Sequence, residues 1–385
     1  MIVGVPKEIY PGERRVALTP AVVPLLSKAG LEVVLEAGAG ESAGYPDAQY
    51  QEKGAKLLSD RRAVFAQADI VVQVLGHGAN DKNGAEDLPL MRRGQVLIGF
   101  LRPLGSTEAV EQIARTGVTA FSVELMPRTT RAQSMDALSS MASIAGYKAV
   151  VVVADTLPRI FPMMTTAAGT ITPARILVIG AGVAGLQAIA SAKRLGAVVS
   201  AYDVRPAVKE QVQSLGGRFV ELPLETGEAQ DARGYAKAQD EAFYAKQREL
   251  LGNVIAESDA VITTAAVPGR RAPRIIQRAA VERMKAGAVI VDIAAESGGN
   301  CELTRAGETV VHGGVKIVGP VNLATQLAYH ASEMYARNLL NFLKPAIDKS
   351  GSLAIDWNDE VFAQSCLTHD GAIKHEATRK AVEGT

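Results

Sequence analysis

Cysteine is scarce in this chain of 385 residues: Cys301 and Cys366 stand far apart and lack metal-ligand spacing. Neither a disulfide framework nor a thiolate metal centre is expected, and both read as thiols in a reducing compartment. Net charge is absent too, because 41 basic and 41 acidic residues cancel. That balance argues against nucleic acid or an anionic membrane surface as a partner. The five histidines, His77, His312, His330, His369 and His375, form no HExxH or similar pair, so no metal site is expected. The longest apolar stretch, Ile176 to Ala192, is interrupted by glycines and Gln187. It reads as strand plus helix rather than as a membrane span of ~20 residues. Charges in MIVGVPKEIYPGERRVALTP break the apolar core that a secretory signal needs. A soluble chain is expected, and any membrane association would come through a partner.

What is present centres on Ala174 to Arg205. Arg175 to Ile179 is an apolar run of strand length that ends in Gly180-Ala181-Gly182-Val183-Ala184-Gly185. Val183, Leu186, Ile189, Ala190 and Leu195 then follow the 3.6 period of a helix, and Val198 to Tyr202 reads as a second buried strand before Asp203. A glycine turn opening a helix lets backbone N–H groups approach a pyrophosphate without side chains intervening. A carboxylate at Asp203 can accept from ribose hydroxyls and repels a 2′-phosphate, so NAD(H) is expected rather than NADP(H). Arg205 could pair with a phosphate, or it could be a solvated arginine beside the helix start at Pro206. Gly180, Gly182, Val183, Gly185, Asp203, Val204, Arg205, Thr264 and Ala265 form the candidate cofactor-binding set.

Strands alternate with helices along the whole chain, which indicates parallel sheets. Met1–Val5, Glu32–Leu35, Asp69–Val74, Gln95–Phe100 and Val118–Phe121 belong to a first α/β domain. Gly38-Ala39-Gly40-Glu41-Ser42-Ala43-Gly44 imitates both a dinucleotide turn and a hydrolase elbow. Tyr45-Pro46 delays any helix to about Asp47, so this stretch reads as a glycine loop. A second domain carries Arg175–Ile179, Val198–Tyr202, Arg218–Glu221, Ala260–Thr264, Ala288–Ile293 and Val315–Val318, the six strands of a dinucleotide-binding sheet. Long helices are expected through Ala137 to Val153 and from Val321 to Phe342. The fold class is therefore α/β: two Rossmann-like, doubly wound parallel-sheet domains joined by long helices. The first comprises residues 1–135 and 330–385, whose tail adds strands or loops; the second comprises 136–329. The polar stretch PLETGEAQDARGY is either a loop that closes over nucleotide or an indifferent surface excursion.

The loop Arg128 to Asp136 packs a guanidinium, an amide and a carboxylate between the two domains, which by itself reads first as a solvated interdomain salt bridge. Together with its neighbours it carries a resemblance. ELMPR, RAQSMDALSS, FPMMTTAAGT, GAGVAGLQAIASAKRLGA and DIAAESGGNC resemble the NAD(H)-binding component, domain I, of the proton-translocating nicotinamide nucleotide transhydrogenases, over nearly the whole chain. PKEIYPGERRVALTP is a signature shared with the alanine dehydrogenases. In that family the substrate arginine, lysine and histidine map onto Arg15, Gln73 and Arg102, and an aspartate maps onto Glu296. Only the arginine survives here, whereas oxidative deamination needs a tuned acid–base group.

The resemblance implies a Re/Si-specific transhydrogenase subunit that passes hydride from NADH to NADP+ held on a partner domain. It implies that Gln133, Asp136 and Arg128 are the catalytic set at the nicotinamide end, that Ser139 is a cofactor contact, and that Tyr235 sits on a loop closing over the nucleotide. It further implies a homodimer, with the NADP(H)-binding domain and membrane-embedded subunits as partners and a cytoplasmic position peripheral to the inner membrane. The alternatives are an amino-acid dehydrogenase of the alanine type and a non-catalytic NAD-binding regulatory subunit.

Overall fold

The computed structural model describes residues 1–223, 241–266 and 270–384, with only the backbone at 241, 242 and 244. Tyr235 and most of the polar stretch around it lie outside the described residues. The chain divides into two compact units, Met1–Met141 with Thr325–Thr385, and Ala142–Ala324.

In the first unit, β1 (Ile2–Val5), β2 (Glu32–Glu36), β3 (Lys56–Leu58), β4 (Ile70–Leu75), β5 (Val96–Phe100) and β6 (Thr119–Ser122) lie parallel in the order β3–β2–β1–β4–β5–β6. That order is one of the doubly wound arrangements. β4 and β5 are almost wholly apolar because helices cover both faces of a parallel sheet. The tail adds Cys366–His369 antiparallel to β6, and Ala372–Ile373 beyond it. Leu367 of this tail packs in one core cluster with Val71, Leu97 and Val110. The chain's one tryptophan, Trp357, lies with its ring 6.3 Å from Phe121 and 4.8 Å from His369. β3 escapes a reading of the sequence because one exposed and two half-buried residues at a sheet edge are too short an apolar run.

Two further stretches of this unit bear on the sequence reading. Glu41–Ala43 is a single 3-10 turn and the helix begins at Asp47, whose carboxylate accepts from Gly38 N at 2.9 Å and 3.0 Å. The helix start at Asp47 is the one expected from Tyr45-Pro46, and the glycine loop is closed in addition by a side chain of its own. The continuous helix expected from Val321 is corrected: Asn322 is left-handed at φ 46, Leu323–Leu327 is a 3-10 segment, and the α-helix runs from Ala328 to Leu343. Ala331, Tyr335, Leu339 and Phe342 form its buried face.

The second unit opens its sheets with an antiparallel hairpin, β7 (Met164–Thr166) and β8 (Gly169–Ile171), whose six residues are all exposed. Its main sheet holds β9 (Arg175–Ile179), β10 (Val198–Tyr202), β11 (Arg218–Phe219), β12 (Ala260–Thr263), β13 (Val289–Asp292), β14 (Thr309–His312) and β15 (Val315–Val318), in the order β11–β10–β9–β12–β13–β15–β14. The first six are parallel and repeat the winding of the first unit; β14 is an antiparallel edge. Six strands are expected from the sequence, and the seventh is made by Gly313-Gly314. Both glycines have positive φ, 56 and 80, as a two-residue hairpin turn requires.

The helix Ala137–Thr156 contains the boundary between the units. Among the described residues it is the one helix long and apolar enough to cross a bilayer by length and composition. Its Ala149, Val150 and Val153 are buried in the second unit's core with Ile176, Val178 and Ala188, the packing of a core helix in a folded domain.

Candidate functional site

β9 is flanked by β10 on one side and β12 on the other, so the winding reverses beside it. Ligands of open parallel sheets bind outside the carboxyl ends of the strands at such a reversal. The glycine turn leaves β9 at this point, and each glycine has its own steric reason. Gly180 has φ 95, and a Cβ there would come within 2.6 Å of Thr264 Oγ1. A Cβ at Gly185 would stand 1.8 Å from the Gly180 carbonyl oxygen, so the helix Val183–Arg194 rests on the strand only because that side chain is missing. At Gly182 the situation is the reverse. Its φ of −77 is open to any residue, and the nearest atom to an added Cβ is Arg205 Nη2 at 4.0 Å. The glycine leaves free space above the first turn of a helix that has no side-chain cap. Those first-turn N–H groups, with the positive end of the helix dipole, suit a phosphate.

One residue past β10, the buried Asp203 reaches into the same turn. Its Oδ2 accepts from Ala181 N at 2.7 Å and from Arg205 Nη2 at 2.7 Å; its Oδ1 accepts from Arg205 N and Nε at 2.9 Å each. The sequence leaves Arg205 either on a phosphate or in solvent. In the structure its side chain is 12% exposed and closed on Asp203. Pro206–Val208 does form a 3-10 turn. Thr264 hydroxyl donates to the Gly180 carbonyl at 3.0 Å, tying the end of β12 to the glycine turn. Gly180, Gly182, Val183, Gly185, Asp203, Val204, Arg205, Thr264 and Ala265 therefore come together at one sheet edge of one unit.

Two residues of this edge are missed by reasoning from the sequence. Asp292, at the end of β13 and fully buried, accepts from Thr263 Oγ1, Ala294 N, Asn300 N, Cys301 N and Thr304 Oγ1 at 2.7 to 3.1 Å. Asn300 then clamps the segment after β12: its Oδ1 accepts from Ala265 N at 3.0 Å, and its Nδ2 donates to Ala265 O at 2.8 Å and Pro273 O at 2.9 Å. An aspartate closing the apolar run Val289–Asp292, followed by Gly298-Gly299-Asn300, is the signal that could have pointed to them. Cys301 and Cys366 are buried free thiols, pushed up to about 11 and about 12 by burial. No cluster of metal-ligating side chains occurs among the described residues.

Arg128, Gln133, Asp136 and Ser139 belong to the first unit. Arg128 and Gln133 are exposed. The loop that carries them is braced by Asn338 Nδ2 and Asn341 Nδ2, which donate to Ser134 O at 2.9 and 3.1 Å. Asp136 caps the helix Ala137–Thr156: its carboxylate accepts from Ser139 N at 2.9 Å and Ser139 Oγ at 2.5 Å. Asp136 and Ser139 thus bind each other, and Arg131 of the same loop pairs with Asp359.

The positions set against alanine dehydrogenase are also in the first unit. Arg15 is buried in a bidentate pair with Glu13, Nε to Oε1 at 2.8 Å and Nη2 to Oε2 at 2.6 Å. Gln73 is buried, with Nε2 donating to Asp87 at 2.8 Å, while Arg102 is exposed at φ 52 and its backbone N–H donates to Glu124. Glu8 lies at the carboxyl edge of the same sheet and accepts from Val74 N and Leu75 N; burial, then the nearby Glu13, push its carboxyl up to about 8. Glu296, in the second unit, is exposed.

Residues 4–145 match the alanine dehydrogenase/PNT N-terminal domain family, and residues 149–376 match the C-terminal domain family of the same name. The chain is 47% identical over 379 residues to the first portion of NAD(P) transhydrogenase subunit alpha of Rhodospirillum rubrum, covering 98% of each chain. The solved structure of transhydrogenase from Sinorhizobium meliloti is similar with a TM-score of 0.84 and 43% identity, covering 98% of this chain and 100% of that one. An L-alanine dehydrogenase structure is similar with a TM-score of 0.82 and 25% identity, covering 100% and 99%.

Proposed function

This chain belongs to the alanine dehydrogenase/PNT family, and on that footing we propose that it is the NAD(H)-binding subunit of a proton-translocating transhydrogenase. In this reading it holds NADH while hydride passes to NADP+ on a partner domain. The observation that carries the reading is the near end-to-end match, 98% of both lengths, to a transhydrogenase subunit, in a chain whose alanine-dehydrogenase acid–base positions hold Gln73 and Arg102. A bound nicotinamide supplies the hydride, and the chain supplies position. The space at Gly182 and the uncapped N–H groups after it take the pyrophosphate. Asp203 takes the adenosine ribose. Arg128, Gln133, Asp136 and Ser139 orient the nicotinamide end. Hydride transfer moves no proton, so the residues need to fix distance and exclude water rather than titrate.

The remaining elements of the reading concern partners. A homodimer is supported by the exposed β7–β8 hairpin, where Met163, Met164 and Ile171 are 66, 44 and 51% accessible, an apolar surface that a second copy would cover. Membrane-embedded subunits would carry the proton, which places this chain in the cytoplasm at the inner membrane surface through them.

Mixing the chain with a transhydrogenase NADP(H)-binding domain tests the assignment. Hydride exchange between the two bound nucleotides is expected only in the mixture. NADH binding without exchange would favour a regulatory subunit. Arg15, retained and buried, favours a second reading as an amino-acid dehydrogenase. That reading requires NAD+ reduction by L-alanine, abolished in Arg15→Ala.

A further inference from the structure

A carboxylate offers about four acceptor positions, and on Asp203 four are taken. Ala181 N holds one, and Arg205 holds three through N, Nε and Nη2. A ligand hydroxyl can reach this carboxylate only if a donor withdraws. The Ala181 and Arg205 backbone N–H groups are fixed by the turn, whereas the Arg205 side chain can rotate about its own bonds. Its Nη2 borders the open space over Gly182.

We infer that Arg205 is an exchangeable counter-ion of Asp203 that sets how strictly the site separates a ribose 2′-hydroxyl from a 2′-phosphate. The inference rests on the reading of the second unit as a nucleotide site for NAD(H). A 2′-hydroxyl needs one acceptor, and Arg205 yields it by releasing one oxygen. A 2′-phosphate brings further negative charge against Asp203, and the guanidinium, with donors on more than one edge, bridges the two anions. Arg205 therefore lowers the affinity for NAD(H), because it must be displaced, and softens the penalty against NADP(H). Asp203 alone would discriminate more sharply than the pair does.

Titration calorimetry of NADH and NADPH against the full chain, with Arg205→Ala and Arg205→Gln, tests this. In Arg205→Ala the ratio of the NADPH Kd to the NADH Kd rises about tenfold, equivalent to 1.4 kcal/mol, and NADH binds as tightly as in the parent or more so. Arg205→Gln keeps a neutral N–H for Asp203, guards against loss of fold, and gives a smaller rise. A ratio that stays level or falls, or an equal loss of affinity for both nucleotides, overturns the inference. If the parent binds neither nucleotide, the NAD(H) reading itself fails; if the parent binds NADH and the ratio does not move, only the role of Arg205 fails.

Discussion

Replacing Gly182 by alanine separates a binding role from a folding role within one short turn. An added methyl there meets nothing nearer than Arg205 Nη2 at 4.0 Å, and the backbone is extended, at φ −77 and ψ −167. The folded state has little to lose. Exchanging glycine for alanine at a helix N-cap costs up to about 1 kcal/mol, and the stiffer unfolded chain returns about 0.4–1 kcal/mol. Stability is therefore expected to stay within about 0.5 kcal/mol. The nucleotide has much more to lose, because the methyl fills the space through which a pyrophosphate reaches the helix N–H groups. Weakening one charge-assisted hydrogen bond costs about 1.5–3 kcal/mol, so NADH affinity should fall by roughly tenfold to a hundredfold. Gly185→Ala is the opposite case: its Cβ would lie 1.8 Å from the Gly180 carbonyl oxygen. Forcing helix and strand apart should cost about 1–3 kcal/mol. Urea midpoints and a fluorescence titration with NADH, run on both variants, give the two readouts. A well-folded Gly182→Ala that binds NADH as tightly as the parent would refute the placement of the pyrophosphate.

Four other outcomes are expected. Asp203→Ala weakens NADH binding and narrows the preference over NADPH, and a direct binding assay showing neither change would remove Asp203 from the ribose site. Gln133→Asn and Asp136→Asn reduce hydride exchange in the mixed system far more than they reduce NADH binding; equal losses would make these residues structural only. Ile171→Asp, on the exposed hairpin, shifts the chain to monomer in light scattering without lowering its urea midpoint, whereas an unchanged dimer excludes the hairpin as the contact. Glu8 titrates near 8 when folded, against 4.5 as an ordinary carboxyl. Its contribution to stability is whole below about 4.5 and is lost as pH rises through 8, because the unfolded chain ionises first. Glu8→Gln should flatten stability across that range and exceed the parent above pH 8 by about 1–2 kcal/mol, allowing for partial exposure; parallel pH profiles for parent and variant would count against it.

The glycine turn was readable from the sequence because its constraints are local: a positive φ at Gly180, an approach of backbone to backbone at Gly185 and open space at Gly182 all fall within six residues. The winding of both sheets was readable too, since buried parallel strands are continuous apolar runs. Edge elements were not. β3 and β14 bury too little to leave a pattern, and β14 depends on the Gly313-Gly314 turn. The helix before Ala328 failed for a different reason, because left-handed Asn322 breaks an otherwise helical composition. Polar side-chain contacts escaped altogether, whether over a long separation or a short one. The Asp292–Asn300 clamp on Ala265 joins positions 35 residues apart, and the closure of Arg205 on Asp203 depends on a side-chain conformation that no spacing encodes.

Trp357 gives this chain two optical channels that do not overlap in origin. The chain's single indole sits in the first unit against Phe121 and His369, so indole emission, excited at the red edge where the tyrosines of both units do not absorb, reports on that unit alone. The visible emission of NADH held at the glycine turn would report on the second. Denaturation followed at both wavelengths in one cuvette reveals whether the two units melt together or in sequence, without a label being attached to either.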